Sequence, residues 1–229
     1  MPLLICLLLS YLVGSIPFGY LAGKLIGGVD IRRVGSGNIG ATNVGRVLGW
    51  HWFGVVLVLD FLKGFGPTFG SSFLQPSLTT IWPTPVEFTL LCGISAIMGH
   101  LWPIYLRFQG GKGVATGLGV ILALAPLVGW WPPLAALLTF LTCLLIWRYI
   151  SLGSVAASLS YSITQLITLP NGPLMSNWGI ILFSLVLPGL VIWRHRTNMA
   201  RIVRGEETKV GQRVSAVPSS SSSPNTNST

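Results

Sequence analysis

The stretch that decides the fold runs from Gly99 to Thr116, GHLWPIYLRFQGGKGVAT. It sets a concentrated polar sequence between two apolar runs of membrane-spanning character, so the chemistry of this chain is expected in its loops. Within it, Gln109-Gly110-Gly111-Lys112-Gly113 has the composition of an anion cradle. Three glycines let backbone N–H groups turn inward, and the lysine adds a full positive charge. Thr116 and the apolar residues after it would open a helix whose N-terminus also favours an anion. The plain alternative is a tight turn carrying a snorkelling lysine. The nucleotide-binding P-loop is excluded by spacing, because Leu106 stands where its first glycine belongs and Gly113 where it needs Ser or Thr.

Composition agrees with a bilayer. The chain has 229 residues, 51% hydrophobic and only 8% charged, with mean hydropathy +0.71, whereas soluble domains carry roughly 25% charged residues. The first apolar run, from Leu3 to Ile26, has neither a basic start nor a cleavage pattern and reads as a retained span. Cys6, Cys92 and Cys143 fall inside apolar segments without ligand spacing, so neither disulfides nor a metal site is expected. The net charge of +9 has no soluble basic face to carry it, which argues against nucleic acid.

The expected fold is an all-α integral membrane protein with about seven transmembrane helices, at 3–26, 50–74, 86–101, 114–131, 133–147, 152–169 and 177–193. Arg32, Arg33, Arg46, Arg107, Lys112, Arg148 and six further basic residues lie in alternate connections, and the others hold no Lys or Arg. The positive-inside rule then puts the N-terminus outside and the C-terminus in the cytoplasm. Glycine-rich cytoplasmic loops would form the site. The outer connections, 75–85 and 170–176, are short or Pro-rich and lack ionisable groups. Residues 1–213 form the membrane domain, and the Ser-rich stretch 214–229 is expected to be a disordered cytoplasmic tail.

Several polar groups remain to be placed. The loop from Gly35 to Arg46, with Ser36, Asn38, Thr42 and Asn43, concentrates small hydrogen-bonding side chains and suits an oxyanion or a polyol, or else is a flexible connector. Asp60 and Lys63 share a helix face inside the second run, where a charge costs roughly 2.5–3.5 kcal/mol, so they pair or face a polar interior. His100 ends the third run beside Trp102-Pro103 and is either an interfacial cap or part of the site. Arg148, Ser151 and Ser154, three apart, share a face if the turn there is helical. Arginines around His195 and Asn198 fit an orientation signal or an anionic-lipid contact, which leaves His195 and Asn198 unexplained.

Taken together, these motifs are familiar. Ser36-Gly37-Asn38-x-Gly40-Ala41-Thr42-Asn43 with Arg46, Gly99-His100-x-x-Pro103 with Gly110-Gly111-Lys112-Gly113-Val114-Ala115-Thr116, and His195-Arg196-x-Asn198 with Gly205-Glu206 occur in this order. The set resembles the acyl-phosphate:glycerol-3-phosphate acyltransferase family (PlsY) over about residues 10–210, including Asp60-x-x-Lys63 and Arg148-x-x-Ser151. Tyr105 stands where the family often has Phe, and the serine-rich tail is extra.

The resemblance implies transfer of a fatty acyl group from acyl phosphate to the 1-hydroxyl of glycerol 3-phosphate, the first step of bacterial phospholipid synthesis. It places the multi-pass protein in the bacterial inner membrane with its site facing the cytoplasm, linked to whatever enzyme supplies acyl phosphate. It puts the acceptor phosphate at Gly110 to Gly113 with Lys112, makes Ser36, Arg46, His195 and Asn198 important for activity, and gives Glu206 a structural part. Asn38, Thr42 and Asn43 join the phosphate ligands; Asp60, Lys63, His100, Arg148 and Ser151 support them. No cofactor or metal is expected. None of His51, His100 and His195 is followed by the Asp of the His-x-x-x-x-Asp acyltransferases, which disfavours a thioester donor. An acyl phosphate is already activated, so holding two anions together and stabilising the oxyanion suffices, with His195, His100 or the substrate's phosphate as base. A carrier for small anions is the competing class, opposed by the absence of an evident internal repeat and by polar groups gathered at one side.

Overall fold

The computed structural model describes residues 2–74, 84–169 and 177–212, and among these it is entirely helical, without a strand. The expectations for the outer connections and the Ser-rich tail fall outside these residues, apart from Thr84 and Pro85. The apolar runs form α1 (Pro2–Gly14), α2 (Phe18–Leu25), α4 (Trp50–Ser72), α5 (Pro85–Leu101), α6 (Val114–Val128), α7 (Trp131–Trp147), α8 (Ile150–Ile167) and α9 (Trp178–Val203), and the first polar loop contributes α3 (Ala41–Leu48). Five stretches are long and apolar enough to cross a membrane: Leu3–Leu25, Trp50–Ser72, Pro85–Leu106, Ile150–Ile167 and Trp178–Val203. The other two apolar helices, α6 and α7, have 15 and 17 residues. Large apolar side chains face outward, as Leu145 and Ile167 do at 81% and 78% exposure, which suits lipid rather than water.

The first run is not one helix. Between Gly14 and Phe18 the chain breaks, because Pro17 lacks an N–H and crowds the residue before it. The break leaves the Ile16 carbonyl free of its helix, and Lys63 of α4 donates to it at 2.8 Å. Asp60 holds the same ammonium at 2.8 Å, so the intramembrane pair expected from the sequence also repairs a helix break. Thr116 of α6 donates to the Asp60 carbonyl at 2.9 Å and lies 3.1 Å from Nδ1 of His100, at the end of α5. Four elements thus meet in one buried polar knot.

Close backbone approach makes that knot possible. A Cβ on Gly64 would lie 2.2 Å from the Thr116 carbonyl oxygen, so α4 and α6 touch main chain to main chain. α1 packs on α5, α4 on both α5 and α6, and α7 to α9 add a second antiparallel group. The main apolar core, with Leu90, Leu101, Val120, Leu124, Tyr161 and Phe183, joins α5, α6, α8 and α9. Ile31, Ile39, Val44, Val56 and Leu106 form a smaller core beneath the first polar loop.

Arg148 does not continue a helix. It sits at φ 62 between α7 and α8, so only Ser151 and Ser154 of the expected trio share the α8 face.

Candidate active site

A cleft of about 230 Å³ opens at the end of the bundle, lined by Ser36, Gly37 and Asn38 from the first loop, Lys112 from the glycine loop, and Arg194, Arg196, Thr197, Asn198 and Arg201 from α9. Three segments far apart in sequence converge there. Each is shaped by local chemistry.

The first loop is held from inside by Asn43. Its Oδ1 accepts from the Ser36 N–H at 2.8 Å, and its Nδ2 donates to the Ile31 and Val34 carbonyls at 3.1 and 3.0 Å. Asn43 is therefore committed to the backbone, and the expected phosphate ligand is instead the brace that presents Ser36. Asn38 Oδ1 accepts from the Gly40 N–H at 2.8 Å, an Asx turn that leads into α3. Thr42 is half-buried on α3 away from the cleft lining.

The glycine loop departs from a simple cradle of amides. The Gly111 N–H donates to the His100 carbonyl at 3.2 Å, so it faces the bundle. A Cβ on Gly110 would lie 2.1 Å from that carbonyl oxygen, and one on Gly111 2.2 Å from Nε2 of His100. The glycines are there to let the loop lie on α5. Gly113, at φ 82, turns the chain into α6, and Lys112 is left reaching across the cleft. His100 is sealed beneath the loop, bonded to Thr116 and 3.8 Å from Asp60.

Lys112 donates its Nζ proton to Oδ1 of Asn198. Asn198 Nδ2 in turn donates to Glu207 Oε1 at 2.7 Å, and Arg201 Nε to Glu207 Oε2 at 2.8 Å. Arg46 lies 3.7 Å from the same carboxylate and donates to the Thr208 carbonyl at 2.9 Å, while Ser151 donates to Oε1 at 3.3 Å. Burial pulls the Lys112 ammonium down to about 8, Glu207 works against that, and Arg201, Arg46 and Arg194 add to it. Burial raises the Glu207 carboxyl, but hydrogen bonds from Arg201 and Asn198 and the charges of Arg201 and Arg46 outweigh it and leave it below its ordinary value. Burial also lowers Arg46.

Glu207 was not singled out in the sequence, where it stands beside Glu206. Glu206 is exposed and pairs with Arg204 at 2.8 Å, away from the cluster. Arg148 is exposed too, but its backbone carbonyl accepts from the Val210 N–H at 2.9 Å and its Nη2 donates to the Val210 carbonyl at 3.0 Å, which pins the segment carrying Glu207. His195 is buried with Nδ1 2.9 Å from the Val191 carbonyl, so Nδ1 carries the proton, and the ring is not part of the cleft lining. Arg194 and Arg201 join the cleft, although in sequence they stand out only as members of a general basic cluster.

A family model described as glycerol-3-phosphate acyltransferase matches residues 4–205. The chain belongs to the glycerol-3-phosphate acyltransferase family. Glycerol-3-phosphate acyltransferases similar to it include one from Prochlorococcus marinus, 39% identical over 210 residues that cover 91% of this chain and 94% of that protein. Another, from Synechococcus elongatus, is 43% identical over 212 residues, covering 91% and 94%. The crystal structure of PlsY, an integral membrane glycerol 3-phosphate acyltransferase, in its glycerol 3-phosphate form is 36% identical, covers 92% of this chain and 96% of its own, and superposes with a TM-score of 0.77. Its lysophosphatidic acid form gives 0.74 with the same identity and coverage. The whole described membrane bundle is therefore that of a glycerol-3-phosphate acyltransferase.

Proposed function

We propose that this acyltransferase takes its acyl group from acyl phosphate and delivers it to the 1-hydroxyl of glycerol 3-phosphate, giving lysophosphatidic acid. The observation that carries this is the meeting of Lys112, Asn198 and Arg201 in a cleft whose opposite wall is the Ser36 loop. The acceptor phosphate takes the place of Asn198 as partner of Lys112, with Arg201 close by. Glu207 keeps the unliganded cluster of cations from repelling itself apart, and Arg46 closes the cluster from behind.

In the transfer, the acceptor oxygen attacks the acyl carbonyl, its proton goes to a base, and the carbonyl–phosphate bond breaks to release inorganic phosphate. Phosphate is a good leaving group, so no covalent enzyme intermediate is required and the protein acts by holding two anions together. The glycine loop lies over His100, which favours a supporting part for it. His195 Nε2 and the acceptor's own phosphate remain as bases.

The cleft faces the cytoplasm of a bacterial inner membrane, where glycerol 3-phosphate is found. All seven apolar stretches cross the bilayer, α6 and α7 included, although at 1.5 Å per residue the 15 residues of α6 reach only about 22 Å. α6 is wrapped by protein rather than lipid, and tilt or local thinning accommodates α7. Neither metal nor cofactor takes part.

The decisive experiment gives purified protein labelled glycerol 3-phosphate with palmitoyl phosphate or with a palmitoyl thioester, each with and without a chelator. Lysophosphatidic acid from the phosphate donor alone, undiminished by chelation, is expected. Turnover of the thioester at a comparable rate overturns the donor assignment, and loss on chelation restored by one divalent ion overturns metal independence.

A further inference from the structure

The two peptide groups on either side of Gly111 are held in an unusual way. Arg194 Nη2 donates to the Gly110 carbonyl at 3.1 Å and also to the Gly111 carbonyl. The Gly110 carbonyl and the Gly111 N–H belong to one planar peptide and point in opposite directions. That N–H is taken by the His100 carbonyl at 3.2 Å, so the peptide is gripped from both sides. The next peptide joins Gly111 to Lys112. Fixing its oxygen on Arg194 fixes the Lys112 N–H, and with it the direction in which the lysine side chain leaves the loop.

Arg194 is itself braced. Its guanidinium lies 5.9 Å from the Trp102 ring centre and 5.6 Å from that of Trp193, and the two rings are 6.4 Å apart. The two indoles attract the guanidinium from one side, and the loop carbonyls hold its tip. Glycine backbones have weak torsional preferences, so without such a grip these peptides would rotate among several orientations. Two unpaired carbonyl oxygens at the lip of the cleft would also repel a phosphate.

We propose that Arg194 is a positioning residue for the acceptor site, clamping the two peptides around Gly111 so that Lys112 presents its amine to the acceptor phosphate. This rests on Lys112 being a ligand of that phosphate. Lysine at 194 cannot substitute fully, since a compact, strongly hydrated ammonium is held less well beside the indoles than a guanidinium.

A double-mutant cycle with Lys112 separates positioning from direct contact with substrate. Arg194→Ala should raise KM for glycerol 3-phosphate about tenfold, the scale of one charge-assisted hydrogen bond, with kcat and KM for palmitoyl phosphate within about twofold. Methylguanidinium supplied to the alanine variant should restore part of that loss. Arg194→Gln keeps one N–H donor and should fall between wild type and alanine; it serves for the same cycle if the alanine variant does not fold. In a Lys112→Ala background, either change at 194 should add less than twofold. A full second increment there makes Arg194 a direct phosphate ligand and overturns the proposal, as does an unchanged KM in the single variants. If Lys112→Ala alone leaves KM unchanged, the acceptor-site assignment of Lys112 is what fails.

Discussion

Replacing Gly111 by alanine puts a methyl carbon 2.2 Å from Nε2 and 2.9 Å from Cε1 of His100. The imidazole cannot swing aside, because it is buried and Nδ1 is engaged by Thr116. The loop must move instead, losing the Gly111–His100 hydrogen bond and shifting Lys112 in the cleft. Overpacking of this kind costs about 1–3 kcal/mol. If the penalty falls on the acceptor-bound state, KM for glycerol 3-phosphate rises roughly 5- to 160-fold while kcat falls less. Gly110→Ala should be worse, since its methyl would meet the His100 and Leu101 carbonyl oxygens at 2.1 and 2.5 Å and the Pro103 ring at 2.5 Å, none of which is a flexible end. Gly117→Ala is the control: nothing lies within 4 Å of its Cβ, and alanine in a helix gains about 0.5–1 kcal/mol over glycine. Initial rates at varied glycerol 3-phosphate and saturating palmitoyl phosphate, with thermal unfolding of each variant, give the ranking. Equal KM values for the Gly111 and Gly117 variants would refute the packing argument.

Other outcomes follow from the same geometry. Glu207→Gln removes the charge that Arg46, Arg201 and, through Asn198, Lys112 converge on; the loss should be about 3 kcal/mol, read as a Tm lower by roughly 6–12 °C, with activity reduced more than tenfold, and an unchanged Tm would deny Glu207 this part. Because the Lys112 ammonium titrates near 8 instead of 10.5, the cation is present below that pH and lost above it, so kcat/KM for glycerol 3-phosphate should fall as pH rises through about 8. Lys112→Arg, where it retains activity, should carry that descending limb to higher pH; an unmoved limb assigns it to another group. In cysteine-free protein, cysteines placed at Gln75 and Asn171 should react with an impermeant reagent from outside intact cells, and cysteines at Gln109 and Gln212 should not; the reverse pattern inverts the orientation.

Local signals made the apolar runs and the motif-bearing loops legible: five of the seven runs became single helices within a few residues of their expected ends, while the first split in two and the last, expected to end at 193, continues to Val203. The interruption of the first run was missed because hydropathy does not register one proline among apolar neighbours. Its repair by Lys63 is a contact between residues 47 apart, which no local pattern carries. Asn43 was placed among the anion ligands because composition cannot tell a side chain that binds a ligand from one that binds its own loop. Glu207 was invisible for a related reason. Two adjacent carboxylates look alike in sequence, and only the pinning of the following residues to Arg148 turns the second one inward. Ser36, Lys112 and Asn198 were found because their motifs are compact, and the structure brings those three to one cleft.

Glu207 follows every membrane helix in a chain made from the N-terminus onward. While the ribosome is still adding α9, Arg46 and Lys112 have already emerged, and the carboxylate that will neutralise them has not. In the proposed orientation, this delay lets the same side chains act twice. As unpaired cations they hold their loops in the cytoplasm during insertion, and they are drawn into the buried cluster only once the segment carrying Glu207 folds back onto Arg148. A chain that stops short of Glu207 would thus be correctly threaded yet unable to gather its charges.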